Sequence, residues 1–336
     1  MIKIAVIGAG FIGKVHAESY RKIKNARLVS VVEKNLEKGK KFADEFDVKF
    51  YSDIDELLNI EEVDIIDICT PPLTHYELVK KAAIAKKHII CEKPLTLSLK
   101  EADEMVSIVE EKNLKAMVGL VLRFWPEYVL AKKIIDKGKL GKPLYCYCER
   151  LSRMENENCS DNWRFDEKYG GGAAVDLHIH DLDFINWLFK KPATIMSKGI
   201  YDEKFGGFIH IISNITFKDG EIGLVEGSWG FRCSFPFTMG FRILCEKGTI
   251  EWSTRTGKNI EKRFKKSKFL VYKCDGTIIK PSLDSTDAFI LELDYFVNCV
   301  EKDIPIERAT FKDGKRAVEL SLASIKSAKE DRIIKI

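Results

Sequence analysis

The stretch from Ile2 to Gly13 constrains the fold more than any other part of this sequence. An apolar run leads into the hexapeptide GAGFIG at residues 8–13, and a helical pattern follows over residues 11–23. In such a turn Gly8 permits the tight bend, Gly10 lets the backbone approach a pyrophosphate, and Gly13 allows close packing of helix on strand. The sequence therefore predicts a strand–turn–helix unit that binds dinucleotide phosphates at the helix N-terminus.

Short apolar runs continue to alternate with helical patterns up to about residue 121. The runs cover residues 27–33, 64–69, 88–91 and 115–122, and the helical patterns between them cover residues 36–46, 76–85 and 99–111. Apolar runs of this length between helices are typical of βαβ units in a parallel sheet. We predict an α/β Rossmann domain, a doubly wound parallel sheet, over residues 1–121.

The pattern changes after Arg123. Helical patterns cover residues 126–137, 173–189, 285–301 and 312–329, and strand patterns cover residues 142–150, 207–217, 221–231, 238–245 and 249–252. Turn residues such as Asp219-Gly220 separate the strands. We predict a second, α+β domain over residues 122–336 with a large, mostly antiparallel open sheet.

Composition excludes several classes of protein. The 336 residues carry 55 basic and 51 acidic side chains, a net charge of +4, which is too mild and too dispersed for a dedicated nucleic-acid binder. No apolar run reaches the roughly 18 residues of a membrane span, and the glycines that interrupt the first run favour a buried strand over an export signal. The nine cysteines are odd in number and irregularly spaced, which favours a reduced, cytoplasmic protein.

An acidic residue stands where a ribose-binding carboxylate is expected. Glu33 lies at the end of the second apolar run, 20 residues after Gly13, the spacing at which such an acid contacts the ribose hydroxyls. Its charge would repel a 2′-phosphate and so favours NAD. The neighbouring Lys34 leaves NADP possible. A glycine turn without a ligand beside a surface glutamate is the structural alternative.

Three later motifs give the chain a family resemblance. TPPLTH at residues 70–75 and EKP at 92–94 each follow an apolar run, and GGG at 170–172 precedes an Asp176-x-x-x-His180 pattern. Together with GAGFIG and His16, these motifs resemble the Gfo/Idh/MocA oxidoreductases along essentially the whole chain. One departure is Ala85-Lys86-Lys87-His88, where the family often has Ala-Gly-Lys-His.

The residue chemistry points to the same groups. His180 has an intrinsic pKa suited to a base near neutral pH, and Asp176, four residues earlier on one predicted helix, could orient it. Lys93 could stabilise negative charge on a substrate oxygen. The resemblance implies these roles too. A helix-surface pair or a metal site is the alternative for Asp176 and His180, and we predict no metal because no third ligand stands at a useful spacing.

The resemblance also implies further cofactor contacts. Besides the glycine loop with Phe11 and Ile12, and besides Glu33 and Lys93, it implies contacts from Thr70, Pro71, His75, Glu92, Arg123, Trp163 and Arg164. Arg123, Trp163 and Arg164 serve equally well as an interdomain salt bridge or as packing residues. His16 belongs to the motifs of the resemblance, and a role in helix packing explains it equally well.

These features together predict an NAD(P)-dependent oxidoreductase that interconverts a hydroxyl and a ketone on a sugar, sugar derivative or cyclitol. The loop at residues 152–168 would set specificity. A redox-inactive dinucleotide-binding sensor is the alternative. We expect a homo-oligomer, a dimer or tetramer, through the exposed face of the second sheet. The apolar residues Phe208, Ile211, Val225, Trp229, Phe235 and Phe237 would form that face or fill the domain core.

Overall fold

The first sheet is parallel throughout. Its strands are β1 (Ile2–Ile7), β2 (Ala26–Val32), β3 (Lys49–Tyr51), β4 (Ile65–Ile68), β5 (His88–Glu92) and β6 (Ala116–Gly119). They lie in the order β3-β2-β1-β4-β5-β6, which is the order of a doubly wound sheet. The computed structural model, which describes residues 1–154, 163–256 and 268–336, thus confirms the predicted Rossmann fold and adds β3, a strand too short to give a pattern.

Helices connect these strands as crossovers. They are α1 (Phe11–Tyr20), α2 (Leu36–Phe46), α3 (Ile54–Ile60), α4 (His75–Ile84) and α5 (Leu99–Glu111). Side chains cap several of them: Asn35 accepts a hydrogen bond from the N–H of Lys38 at the start of α2 (3.0 Å), which satisfies an amide that the helix leaves open. Beyond α4, Lys86 takes the left-handed conformation (φ 55°). It therefore adopts at a helix end the conformation that favours glycine.

The second sheet is mixed and nearly all antiparallel. Within the described residues its strands are β7 (Pro143–Arg153), β8 (Pro192–Asp202), β9 (Gly207–Phe217), β10 (Ile222–Phe231), β11 (Phe237–Cys245), β12 (Gly248–Thr256), β13 (Lys268–Lys273), β14 (Ile278–Ile279) and β15 (Ile334–Lys335). Their order is β14-β13-β12-β11-β7-β10-β9-β8-β15. The β7–β10 pair is parallel. This confirms the predicted open antiparallel sheet.

The remaining helices are α6 (Pro126–Asp136), α7 (Gly172–Asp176), α8 (His178–Phe189), α9 (Ala288–Glu301) and α10 (Phe311–Glu330). The core of the second part contains an aromatic cluster around Tyr128, whose ring lies 4.6 Å from Phe184, 5.0 Å from Phe241 and 5.5 Å from Trp252. Among the helices of the described ranges, none has both the length and the apolar character of a bilayer span.

Strand alternation decides which apolar residues the second sheet exposes. Phe208, Ile211, Val225 and Phe237 are each at most 4% exposed, so these four fill the core and do not form the open face. Outward positions of the same sheet belong to other apolar residues. Ile222 and Leu244 flank Tyr145 on the two adjacent strands and are 43% and 46% exposed. A shift of one residue moves a side chain to the other face of a sheet.

The chain divides into two compact units whose boundaries differ from the predicted ones. The first unit comprises residues 1–124 and 286–316, and the second comprises residues 125–285 and 317–336. The predicted division at residue 121 assigned α9 to the second domain. In the structure, the N–H of Val118 on β6 donates to the carbonyl of Ala309 (2.8 Å), and the ring of Phe289 on α9 lies 5.9 Å from that of His16 on α1. The returning segment therefore packs on the first sheet and its helices.

Candidate active site

The glycine loop joins the carboxyl end of β1 to the N-terminus of α1. Gly8 has a φ of 107°, and a Cβ atom there would lie 2.8 Å from the carbonyl oxygen of Cys69. A Cβ atom on Gly13 would lie 2.1 Å from the carbonyl oxygen of Gly8. These two positions therefore admit glycine and nothing larger. Next to them, Phe11 is 54% exposed and Ile12 half-buried.

The same loop is open where a phosphate group would approach. Gly10 is the N-terminal cap residue of α1, and within the described residues no side chain bonds the free amides there. A Cβ atom built on Gly10 would meet nothing within 4 Å. Free backbone amides at a helix N-terminus attract anions, so the residues present fit a dinucleotide pyrophosphate.

Glu33 lies beside the glycine loop. One carboxylate oxygen accepts a hydrogen bond from the N–H of Ala9 (3.0 Å) and the other accepts one from the N–H of Asn35 (3.0 Å). This placement follows from the sheet order, since β1 and β2 are adjacent parallel strands whose carboxyl ends meet at one edge. Lys34, which follows, is exposed.

His75 ties two loops together. Its Nε2 lies 2.8 Å from the carbonyl oxygen of Thr70 and its Nδ1 lies 2.9 Å from that of Pro94. The ring is fully buried, and burial lowers the pKa of His75 below its ordinary value. The structure therefore places His75 inside the fold, where it holds the loop of Thr70 and Pro71 against the loop that follows Lys93.

Glu92 and Lys93 stand at the carboxyl end of β5. The Glu92 side chain is turned inward and is 7% exposed. One of its oxygens accepts a hydrogen bond from the N–H of Lys93 (3.1 Å). Lys93 itself is half-buried at the edge of the sheet where open α/β folds bind ligands.

Arg123 forms an ion pair within the first unit. It is 3% exposed, and its Nη1 lies 3.0 Å from Asp313 of the returning segment. Asp313 also accepts hydrogen bonds from the N–H and the hydroxyl of Thr310, each at 2.8 Å. These contacts give Arg123 a structural role, in which it holds the returning segment of residues 286–316.

The segment carrying Asp176 and His180 is not the single helix that the sequence predicts. The short helix α7 ends at Asp176 and α8 begins at His178. Leu177 between them has φ −102°, away from the helical value near −63°. The expectation that Asp176 and His180 share a helix face, because they are four residues apart on one helix, therefore does not apply across this break. Asp176 is half-buried and His180 is 9% exposed.

The second unit also contains His178 and two residues of the predicted cofactor contacts. His178 is fully buried with Nε2 2.8 Å from the hydroxyl of Ser213, and burial lowers its pKa to about 3, so it is a packed core histidine. The Arg164 guanidinium lies 5.5 Å from the ring centre of Trp163. Both residues are half-buried. Within the predicted specificity loop, residues 155–162 lie outside the described residues.

Two buried clusters of charged side chains were not predicted from the sequence. In the second unit, Arg150 on β7 forms two bonds to the carboxylate of Asp181, with Nε 2.8 Å and Nη2 3.2 Å from its oxygens. In the first, His16 lies against Asp67 (2.9 Å). Both arise from residues far apart in sequence. A charged residue at an apolar position, such as Arg150 between Cys148 and Leu151, is the one signal that could have pointed to them.

Comparison with known proteins identifies the family. Residues 2–120 match the model described as "Oxidoreductase family, NAD-binding Rossmann fold", and residues 128–251 match the "GFO/IDH/MocA C-terminal domain". The chain therefore belongs to the Gfo/Idh/MocA family, as its motifs predicted, and is an NAD-binding oxidoreductase.

Relatives extend over nearly the whole chain. The scyllo-inositol 2-dehydrogenase (NAD(+)) of Bacillus subtilis is 30% identical over 311 residues, 89% of this chain and 86% of that protein. The myo-inositol 2-dehydrogenase of Thermotoga maritima is 26% identical over 100% of this chain and 98% of its own. Among solved structures, levoglucosan dehydrogenase in complex with NADH and levoglucosan shares the fold with a TM-score of 0.86 at 23% identity, over 100% of this chain and 99% of that one.

Proposed function

We propose that this chain is an NAD-dependent dehydrogenase that interconverts a hydroxyl group and a ketone on a sugar, a sugar derivative or a cyclitol. The observation that carries the proposal is the grouping, within the first unit, of an open glycine loop, the Glu33 carboxylate beside it and Lys93 at the end of β5. The inositol dehydrogenases among the relatives support the substrate class.

Different residues of the chain would bind different parts of the cofactor. Backbone amides of the glycine loop would hold the pyrophosphate, and the Glu33 carboxylate would accept hydrogen bonds from the adenosine ribose hydroxyls and repel a 2′-phosphate. When bound, NAD⁺ supplies the acceptor for a hydride. Since Glu33 already bonds Ala9 and Asn35, its carboxylate is oriented before any ligand arrives.

The reaction itself we assign to Lys93, Asp176 and His180. As the hydride leaves the alcohol carbon, the hydroxyl proton passes to the imidazole of His180, and the substrate oxygen becomes the ketone oxygen. Asp176 would orient that imidazole and stabilise it once protonated. The Lys93 ammonium would donate a hydrogen bond to the substrate oxygen and stabilise the negative charge that develops there.

A substrate screen with both cofactors tests the proposal. NADH or NADPH formation is followed by absorbance across sugars, sugar derivatives and cyclitols. We expect turnover on at least one compound, with NAD⁺ favoured over NADP⁺ by at least about tenfold, because one repelled charge contributes more than about 1.4 kcal/mol at low ionic strength. Tight NADH binding with no turnover across the panel would contradict the proposal and favour a dinucleotide sensor.

We also propose that the chain forms a dimer or tetramer through the open face of the second sheet. The exposed side chains of Ile222 and Leu244 on either side of Tyr145 form an apolar surface of the kind that oligomers cover. Light scattering should give twice or four times the mass of one chain, and Leu244→Glu should lower it. A monomeric wild type would contradict this.

The cytoplasm is the compartment that we propose. The eight cysteines of the described residues are free thiols, which suits a reducing compartment. Cell fractionation tests this location.

A further inference from the structure

A cluster of polar side chains is buried in the first unit, beneath the carboxyl ends of β4 and β5. Each member is at most 7% exposed, and the members come from α1, from β4 and the residue after it, from β5 and from α9: His16, Tyr20, Asp67, Cys69, Glu92 and Glu292. Buried charges are costly unless they are paired. The arrangement of these groups therefore calls for a physical account.

The ring of His16 lies between two carboxylates. Its Nδ1 is 2.9 Å from Asp67 Oδ2, and its Nε2 is 3.3 Å from Glu92 Oε1. A neutral imidazole carries one N–H, whereas a protonated ring carries two and a positive charge. The Nδ1 contact with Asp67 is a hydrogen bond, and the Nε2 contact with Glu92 is a close charge contact without hydrogen-bond geometry. Burial alone would lower the pKa of His16, but the charge of Asp67 and hydrogen bonds to Asp67 and Cys69 outweigh burial and raise the pKa well above 6.5.

Glu92 makes a charge contact through one oxygen and a hydrogen bond through the other. Oε1 faces His16, and Oε2 accepts the hydrogen bond from the N–H of Lys93 (3.1 Å). The neighbouring strand β6 leaves space for this carboxylate through Gly119, where a Cβ atom would lie 2.4 Å from Oε1. The carboxylate of Glu92 therefore occupies the space that Gly119 leaves, and the backbone N–H of Lys93 is hydrogen-bonded to it.

We propose that His16 is a positioning residue. Its imidazolium, anchored by Asp67, fixes the Glu92 carboxylate, and that carboxylate fixes the main chain of Lys93. His16 lies on α1, the helix that begins at the glycine loop, so the contact links the cofactor-binding helix to Lys93. The inference deepens the proposed function and rests on it, because it takes Lys93 to be catalytic.

Glu292 is the remaining acid of the cluster. Neither of its carboxyl oxygens has a hydrogen-bond partner among the described residues. Burial, and after it the charge of Glu92, raises the pKa of Glu292 well above 4.5, which favours its neutral form. Glu292 provides a control position in the same cluster.

The same atoms also raise the question of a metal ion. His16, Asp67 and Cys69 offer three ligand atoms within 4.8 Å of one another. Hydrogen bonds already join these atoms: the Cys69 thiol donates to Asp67 Oδ1 (3.3 Å), and Nδ1 of His16 lies 2.9 Å from Asp67 Oδ2. A bound metal would displace the protons of these bonds, so metal analysis of the purified protein decides between the two states.

The first test observes the ring directly and needs no substrate. In histidine-labelled protein, the ring nitrogens of His16 are assigned by their loss in His16→Gln and followed by NMR from about pH 6 to 9. We expect an imidazolium throughout the neutral range. A neutral ring at pH 7, or stoichiometric zinc in the purified protein, overturns the proposal.

The second test is a double-mutant cycle on kcat with His16→Gln, Glu92→Gln and their combination. A displaced catalytic group costs about 10- to 100-fold, and we expect His16→Gln to lower kcat by at least about tenfold with the dissociation constant of NADH little changed. If His16 acts through Glu92, the double variant is no slower than Glu92→Gln alone. Multiplied losses would overturn the proposal, because a separate structural role gives additive free energies.

A control variant and an independent readout separate the possible failures. Glu292→Gln, which places a neutral side chain of the same shape in the cluster, should leave kcat and Tm near the wild-type values. An equal loss of kcat in Glu292→Gln would mean that the cluster acts by packing, against the proposal. If Lys93→Ala retained full turnover, the proposed function would fail, while the NMR result would still report the state of His16.

Discussion

Lys93→Ala and His180→Ala each lower kcat at least about 100-fold, with the dissociation constant of NADH within about threefold of wild type. Lys93→Ala removes the donor that stabilises charge on the substrate oxygen, and His180→Ala removes the proton acceptor. The affinity for NADH is retained because both variants leave the glycine loop and the Glu33 carboxylate beside it unchanged. Steady-state kinetics on the substrate found in the screen give kcat, and NADH fluorescence gives the dissociation constant of NADH.

The control for Lys93 is Lys100→Ala. Lys100 is the second residue of α5 in the same unit, and its side chain is 87% exposed, so the same chemical change there should leave kcat unchanged. Wild-type turnover in both Lys93→Ala and His180→Ala would refute the assignment of the site. A parallel loss in Lys100→Ala would show instead that the unit tolerates no loss of a lysine.

Arg150→Met destabilises the second unit by about 3–5 kcal/mol, since it leaves a buried carboxylate without its partner. Arg150 is 1% exposed and Asp181 is fully buried. Burial opposes the charge on Arg150, but the neighbouring Asp181 outweighs it and raises the pKa of Arg150. Burial raises the pKa of Asp181 despite the guanidinium beside it, and the two bonds of 2.8 and 3.2 Å between them are those of a paired guanidinium and carboxylate. The double variant Arg150→Met/Asp181→Leu should lose less than Arg150→Met alone, because it removes both charges.

Tryptophan fluorescence is a suitable probe for this urea denaturation. The five tryptophans, at positions 125, 163, 187, 229 and 252, all belong to the second unit. The matched control is Lys198→Met, which breaks an ion pair with Asp331 whose side chains are 64% and 67% exposed, and such a pair contributes at most about 1 kcal/mol. An Arg150→Met transition no lower in stability than that of Lys198→Met would contradict the prediction.

Features that depend on local pattern were accessible from the sequence. The apolar run before Gly8, the spacing to Glu33 and the strand pattern of residues 207–245 predicted the two sheets and the side of the first sheet that carries the cofactor loop. These features depend on neighbours within one strand–turn–helix unit, or on the rule that parallel strands end together. The position of Lys93 after β5 followed for the same reason.

Features that depend on distant contacts were not accessible. His16 and Asp67 are 51 residues apart, and Arg150 and Asp181 are 31 apart, and no periodicity relates such pairs. The break at Leu177 could not be predicted, because the helical pattern of residues 173–189 continues across it. The sequence left open whether Ile211 forms the open face or fills the core, because a strand with apolar residues on both faces does not reveal which face is buried.

The return of residues 286–316 to the first unit has a consequence for biosynthesis. Domains generally fold as units while the ribosome synthesises them, N-terminal first. Here α1 and β6 emerge early, yet α9 and the strand-like contact at Ala309 that cover them emerge after 161 intervening residues, 125–285. The nascent cofactor domain must therefore keep an unfinished surface until residues 286–316 have been synthesised, so synthesis of the intervening residues 125–285 sets the pace of its assembly.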